Sequence, residues 1–193
     1  KMSHVGSVFT NEQELLKTIM KIHNIESIEL DPMFNKGNFY KEIPKPKYIS
    51  DITDGVDARH LPYKNNEINT MILDPPFIFG IHGKEGVHQK SYYSSSTHGI
   101  FKDYREIIMV YQELLFEAYR ILKTKGILIF KCQDYTDSKT YMMHCFVYAR
   151  ATELGFYAKD LAILHLSRGK ISNSNTIQRH LRKHHSYFWV FVK

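Results

Sequence analysis

Near the start of the chain, Leu15, Leu16, Ile19, Met20 and Ile22 recur at three- and four-residue steps, the spacing of a helix that buries one stripe. Thr10 and Asn11 precede them, with Gln13 and Glu14 placed for a capping box, so the pattern predicts a helix of about three turns. Short strands fit Glu26–Asp31, Lys47–Ile52 after the Pro44-Lys45-Pro46 break, and Asn69–Leu73 at the end of an apolar run. From Ile78 to Lys102 the periodicity dissolves into glycines, serines and tyrosines, which reads as a long functional loop. Helical spacing returns after Asp103 through Ile107, Ile108, Tyr111, Leu114, Leu115, Ala118, Ile121 and Leu122. Gly126 punctuates, and Ile127–Phe130 is apolar enough for a strand buried on both faces. A helix then fits Ser138–Leu154 with Gly155 as its C-cap. Leu161–Leu166 and Tyr187–Val192 are the last strands, joined by a basic connection over 167–186. Strands alternating with helices predict an α/β chain with a mostly parallel, doubly wound, Rossmann-like sheet and an antiparallel C-terminal edge strand.

Composition narrows the class. With 193 residues, 43% of them hydrophobic and 13% aromatic, the chain is expected to form a single folded domain over 1–193 with a sizeable core. No apolar run approaches the roughly 20 residues of a membrane span, and the start shows no signal-peptide pattern, so a cytoplasmic protein without a membrane partner is expected. Cys132 and Cys145 lack CxxC spacing, which argues against a zinc site or disulfide, and no metal is expected. A net charge of +6 with 11 further histidines suits an anionic partner such as nucleic acid.

The strongest chemical signal is Asp74-Pro75-Pro76-Phe77, which closes the strand ending at Leu73. Each proline lacks the N–H a sheet ladder needs and fixes φ near −65°. The chain must therefore leave the sheet in a rigid turn that presents a carboxylate, carbonyls and an aromatic ring. In open α/β sheets, ligands bind at that C-terminal edge. Upstream, Asp31-Pro32-Met33-Phe34-Asn35-Lys36-Gly37 follows another strand. Gly37 permits close backbone approach to a ligand, and Asn35 is the residue type that best tolerates left-handed φ after glycine. A third segment, Asp57-Ala58-Arg59-His60-Leu61-Pro62, precedes the strand that ends at Asp74. Its carboxylate could meet an adenine amino group with Leu61 beside the ring, or simply cap a turn.

These segments resemble S-adenosylmethionine-dependent methyltransferases that modify exocyclic amino groups. Their cofactor turn, Asp-Pro-Phe-x-Gly-x-Gly, is similar to Asp31–Gly37. Their catalytic turn is matched in full by Asp74–Phe77, 43 residues later. The resemblance covers residues 30 to 192 and departs at Asn35, where the family has glycine, and at Pro44 and Pro46, which leave little room for a helix after the cofactor turn. It implies a class I methyltransferase fold with S-adenosyl-L-methionine as cofactor. Asp31, Pro32, Met33, Phe34 and Gly37 would wall the methionine end. Asp51 or Asp54 would meet the ribose, and Asp57, Ala58 and Leu61 the adenine. Asp74 and the Pro75 carbonyl would accept hydrogen bonds from the target amine, Pro76 would keep the turn rigid, and Phe77 would stack on the base. The Asp-Pro-Pro-Phe form most resembles adenine-N6 DNA methyltransferases, although some RNA guanine-N2 enzymes share it.

For the nucleic acid, the loop over 78–102 offers Lys84, His88 and Lys90 for phosphates and Tyr92 and Tyr93 for stacking. Arg168, Lys170, Arg179, Arg182 and Lys183 form a second basic footprint. DNA is favoured over RNA, and a duplex base would have to flip out to reach Asp74. The chain has no room for a separate target-recognition region, which leaves three outcomes open: relaxed or short-motif DNA specificity, a homodimer or partner subunit that supplies the missing contacts, or an RNA substrate. An RNA amino-group methyltransferase (guanine N2 or adenine N6) and a catalytically silent methyltransferase-like subunit are the alternatives; the intact Asp74–Phe77 turn argues against the second.

Overall fold

Alternate residues of three neighbouring strands, Ile68–Leu73 (β4), Leu122–Cys132 (β5) and His185–Val192 (β9), feed two separate cores. Met71, Leu73, Leu128, Phe130, Cys132, Tyr187 and Phe191 join one core, and Ile72, Ile129, Phe188 and Val190 join the other. Side chains that alternate across a pleat can serve two layers only when both faces of the sheet are covered. That condition makes the fold doubly wound.

The computed structural model describes residues 4–77, 104–136, 139–165, 180–181 and 183–193. The strands are Val8–Phe9 (β1), Leu30–Asp31 (β2), Tyr48–Ile49 (β3), β4, β5, Tyr135–Thr136 (β6), Thr140–Tyr141 (β7), Tyr157–His165 (β8) and β9. The helices are Glu12–Ile22 (α1), Tyr104–Ile121 (α2) and Met143–Leu154 (α3). Seven strands form one mostly parallel Rossmann-like sheet in the order β1-β8-β9-β5-β4-β2-β3. β2, β3, β4 and β5 pair in parallel, while β9 runs antiparallel to both β5 and β8. The antiparallel C-terminal strand expected from the sequence is therefore present, seated between β5 and β8. The two-residue β1, parallel to β8, forms the edge beyond them.

Helix α1 packs with the Ile72–Phe188 core, and α2 and α3 line the opposite face. Asn11 caps α1 as its sequence position predicts, accepting from the Gln13 and Glu14 N–H groups at 2.8 and 3.1 Å. Gly155 ends α3 with φ +105°, the left-handed cap expected of it. Several elements differ from the predicted pattern, α3 and β5 among them. The helix predicted from Ser138 begins at Met143, because Tyr135 and Thr136 pair with Tyr141 and Thr140 in a small antiparallel ladder; β-branched and aromatic cross-strand pairs favour that state over helix. Strand β5 starts five residues before Ile127, and its register to β4 jumps between Ile68 and Thr70. Lys125 takes φ +66° there, and a Cβ on Gly126 would lie 2.8 Å from the Lys123 carbonyl oxygen, so the extra residues fold into a bulge that only glycine fits. Among the described residues, no helix is long and apolar enough to cross a membrane.

Candidate active site

Parallel pairing brings the ends of β2 and β4 together. Leu30 is in register with Met71, so both strands point their C-terminal ends, and Asp31 and Asp74, toward the same edge. Because Leu30 and Met71 face the α2–α3 core while Ile72 faces α1, alternation carries Asp31 and Asp74 to the α1 side.

Asp31 is 2% exposed. Its Oδ1 accepts from the Met33 N–H at 2.9 Å, and its Oδ2 accepts from the Tyr40 hydroxyl at 2.7 Å. Burial pushes its carboxyl up to about 6; the two hydrogen bonds oppose this, and the charges of Asp74 and Asp51 add to it. Tyr40, itself buried beside Asp31, is held above the usual phenol range and so remains a donor.

The turn after Asp31 is built as the sequence predicts. Asn35 and Gly37 take φ of +44° and +65°. At φ +65° Gly37 sits where a side chain is strained, and an added Cβ would also come within 2.5 Å of Phe34 Cζ, so the turn favours glycine there. Phe34 stacks on Tyr40 with ring centres 5.4 Å apart. In place of a helix after this turn there is only a single 3-10 turn over Asn38–Tyr40, as the Pro44 and Pro46 break requires.

Asp51 and Asp54, equivalent on sequence grounds, differ in place. Asp51 follows β3; its Oδ1 accepts from the Thr53 N–H and hydroxyl, and its Oδ2 accepts from the Asn35 N–H at 3.0 Å. It thus ties the β3 end to the Asp31 turn. Asp54 is exposed at the end of the 3-10 turn that Asp51 caps.

The third segment is engaged elsewhere. Asp57 accepts from Arg59 through the backbone N–H, Nε and Nη2, and the guanidinium hydrogen bonds hold its carboxyl below the usual range. Arg59 also reaches Glu113 at 3.0 Å. Ala58 and Leu61, expected beside an adenine ring, are buried in the α2–α3 core. Leu61 is fixed twice, donating its N–H to Glu117 Oε1 at 2.7 Å and accepting from Arg120 Nη2 at 3.1 Å. Both side chains therefore pack in the core.

At the β4 end, Pro75 is buried and Asp74, Pro76 and Phe77 are half-buried. The wholly buried Tyr111 donates its hydroxyl to the Pro76 carbonyl at 3.2 Å, fastening the turn to α2. Asp74 Oδ2 accepts from Lys131 Nζ at 3.1 Å, and Lys131 also donates to Glu12 Oε1 at 3.0 Å. Lys131 was missed on sequence grounds. Its signal was a single cation inside the apolar run of β5, which must find a partner when buried.

On the other face of the same edge lies a second cluster that the sequence did not reveal. Asp134 is buried and accepts from the Tyr187 hydroxyl at 3.2 Å. His144 Nδ1 lies 2.7 Å from Asp134 Oδ1, and since a carboxylate only accepts, the imidazole donates. The His144 ring stacks on Tyr187 at 4.1 Å, and His185 Nε2 is 2.7 Å from the Tyr187 oxygen. Burial lowers the His185 pKa and raises that of Tyr187. Lys183 lies half-buried just before β9. Lys84, His88, Lys90, Tyr92, Tyr93, Arg168, Lys170, Arg179 and Arg182 lie outside the described residues. Among the described residues, no group of three or more His, Cys, Asp or Glu side chains could hold a metal ion.

No protein-family model matches the chain, and no curated protein matches it. Solved structures do. TTHA0409 of Thermus thermophilus, a candidate DNA modification methylase complexed with S-adenosyl-L-methionine, is 17% identical with a TM-score of 0.47 over 71% of this chain and 53% of that one. TrmN from Thermus thermophilus is 13% identical with a TM-score of 0.49 over 93% of this chain and 48% of that one. A SAM dependent methyltransferase from Archaeoglobus fulgidus is 14% identical with a TM-score of 0.42, over 96% and 84%. The chain spans about half the length of the first two proteins.

Proposed function

We propose that this chain is an S-adenosylmethionine-dependent methyltransferase that modifies an exocyclic amino group of a nucleobase, N6 of adenine in DNA. The observation that carries the reading is the meeting of two turns at one sheet edge: Asp31–Gly37 at the end of β2 and Asp74–Phe77 at the end of β4, in strands paired through Leu30 and Met71.

The residues at the first turn suit the cofactor. Its sulfonium and ammonium are cations, and Asp31, Asp51 and Asp74 give this edge a cluster of carboxylates whose mutual repulsion is already felt at Asp31. Asp31, Met33, Phe34 and Gly37 would hold the methionine end. Asp51 is better suited than Asp54 to the ribose, since it is tied to the Asn35 N–H and each carboxylate oxygen can accept more than one hydrogen bond. Asp57 would share its charge between Arg59 and the adenine. When bound, the cofactor supplies a methyl group activated by positive charge on sulfur.

What the chain does for the reaction follows from the weakness of the nucleophile. The lone pair of an aromatic exocyclic amine is delocalised into its ring. Asp74 and the Pro75 carbonyl would accept one hydrogen bond each from the two N–H groups of the amine, which localises the lone pair and sets its direction. As the N–C bond forms and the S–C bond breaks, the one proton lost from the nitrogen would leave along the hydrogen bond to Asp74 toward solvent. Acceptors fixed in advance where positive charge develops lower the barrier without reorganising during the step. The two prolines and the Tyr111 hydrogen bond keep that geometry rigid, and positioning then carries most of the acceleration. Phe77 gives the base a stacking surface worth roughly 1–3 kcal/mol.

The test is incubation with radiolabelled S-adenosylmethionine and parallel samples of single-stranded DNA, duplex DNA and tRNA, with cofactor binding measured by calorimetry. The reading expects label in DNA and one cofactor bound per chain. Label in RNA alone overturns the DNA assignment. Absence of both label and cofactor binding overturns the enzyme.

A further inference from the structure

We infer that Lys131 is a positioning residue for Asp74: it clamps one carboxylate oxygen and so aims the other at the substrate amine, with Glu12 of α1 holding the lysine in place. The inference rests on the reading of Asp74 as the amine acceptor.

Three observations carry it. The first is register. Leu73 pairs with Phe130, so the residue that leaves β4 and the lysine that continues β5 stand side by side, Nζ to Oδ2, at 3.1 Å. The second is confinement. The Lys131 side chain is only 15% exposed, on a strand flanked on both sides, and its ammonium lies 4.8 and 5.5 Å from the ring centres of Phe39 and Phe188. Those rings favour the cation and close off other rotamers. The third is bridging. Glu12, in the first turn of α1, takes a second ammonium hydrogen at 3.0 Å. Burial works against the lysine's charge, yet the two carboxylates together raise its pKa.

A lysine held this way does more than neutralise. An unrestrained aspartate side chain rotates about χ1 and its terminal carboxyl bond, so only a fraction of its orientations would meet an amine in line with a methyl donor. Committing Oδ2 to a fixed ammonium removes that freedom before the substrate arrives. Misplacement by about 1 Å at a reacting centre costs on the order of a hundredfold in rate. A bystander lysine that merely fills space between two rings would tolerate replacement by methionine, which has similar length and no charge. A positioning lysine would not, and arginine should partly substitute for it.

Two readouts separate these cases. The first is the Asp74 χ1 rotamer, read from three-bond couplings in labelled protein without any substrate. The wild type is expected to hold one rotamer, Lys131→Met to average, and Lys131→Arg and Glu12→Gln to lie between. An averaged Asp74 in the wild type, or an unchanged one in Lys131→Met, overturns the inference whether or not the protein transfers methyl groups. The second is single-turnover methyl transfer with the cofactor Kd measured alongside. Lys131→Met is expected to slow transfer on the order of a hundredfold with the Kd within about threefold, and Lys131→Arg to recover at least tenfold of that loss. Wild-type speed in Lys131→Met, or a cofactor affinity that falls in step with the rate, overturns it. If the wild type itself transfers nothing, the functional reading fails, and the rotamer measurement still decides the role of Lys131.

Discussion

The end of β2 and the end of β4 carry the same side chain at the same edge of the same sheet, in unlike surroundings. Asp31 is sealed from water with like charges nearby, so its carboxyl retains a proton up to about pH 6 even though hydrogen bonds from Tyr40 and Met33 pull the other way. Asp74 is 29% exposed and has an ammonium against one oxygen. Two carboxylates thus acquire two chemistries from environment alone. Asp31 is poised to take up charge when a cationic ligand arrives, whereas Asp74 stands as an acceptor beside a permanent cation.

Removing the Asp74 carboxylate should break this contrast most severely. Asp74→Ala is expected to slow methyl transfer by about a thousandfold, the cost of losing a preorganised charge-bearing partner, with the cofactor Kd within about tenfold. Loss of both by similar factors would assign Asp74 to cofactor binding instead. Rapid-quench kinetics with calorimetry makes the distinction.

The next effect is on stability. In the unfolded chain the Asp31 carboxyl ionises near 3.8, and in the folded protein near 6. Between those values the unfolded state has released its proton and the native state has not, so stability falls as pH rises through this window and levels off above it. The loss amounts to roughly 3 kcal/mol at most. Urea unfolding of the wild type and of Asp31→Asn from pH 4 to 7 isolates the contribution. The difference between the two proteins should shift against the wild type as pH rises, and parallel curves would contradict the assignment.

Smaller is the effect on binding. S-adenosylmethionine affinity should rise with pH up to about 6 and then flatten, because the cation requires the ionised form of Asp31. Below that point the Kd should weaken by about tenfold per pH unit. Asp31→Asn should bind on the order of tenfold to hundredfold more weakly above about pH 7, consistent with loss of a charge-assisted contact, and should show a flat profile. Calorimetric titrations at several pH values check both.

The mildest change is Tyr111→Phe, which deletes the hydroxyl bound to the Pro76 carbonyl. It should cost about 1 kcal/mol in stability and slow transfer severalfold without altering the Asp31 titration. A change in that titration would mean that the two strand ends are mechanically coupled.

Much of this contrast could be read from the chain before the fold. The Pro75-Pro76 pair fixed where β4 had to stop, and Asn35 and Gly37 marked the left-handed positions of the other turn, because these constraints are local to the backbone. Asn11 and Gly155 announced the ends of α1 and α3 for the same reason. What remained hidden depends on neighbours distant in sequence. Whether Asp31 is buried, whether Lys131 lies beside Asp74, and whether Arg59 claims Asp57 are decided by strand order and register. Leu61 was read as a ligand contact because its apolar side chain fits either an adenine ring or a core, and the core received it. The β6–β7 ladder escaped notice because two-residue strands produce almost no periodic signal, and β1 at the sheet edge escaped for the same reason.

The central claim is that the Asp74–Phe77 turn selects an amino group. It is tested most directly by digesting DNA methylated by the pure protein to nucleosides and identifying the product by mass spectrometry against standards. The expected product is N6-methyldeoxyadenosine, formed by the wild type and lost in Asp74→Ala. A methyl group on a ring carbon or ring nitrogen, such as 5-methyldeoxycytidine, would contradict it.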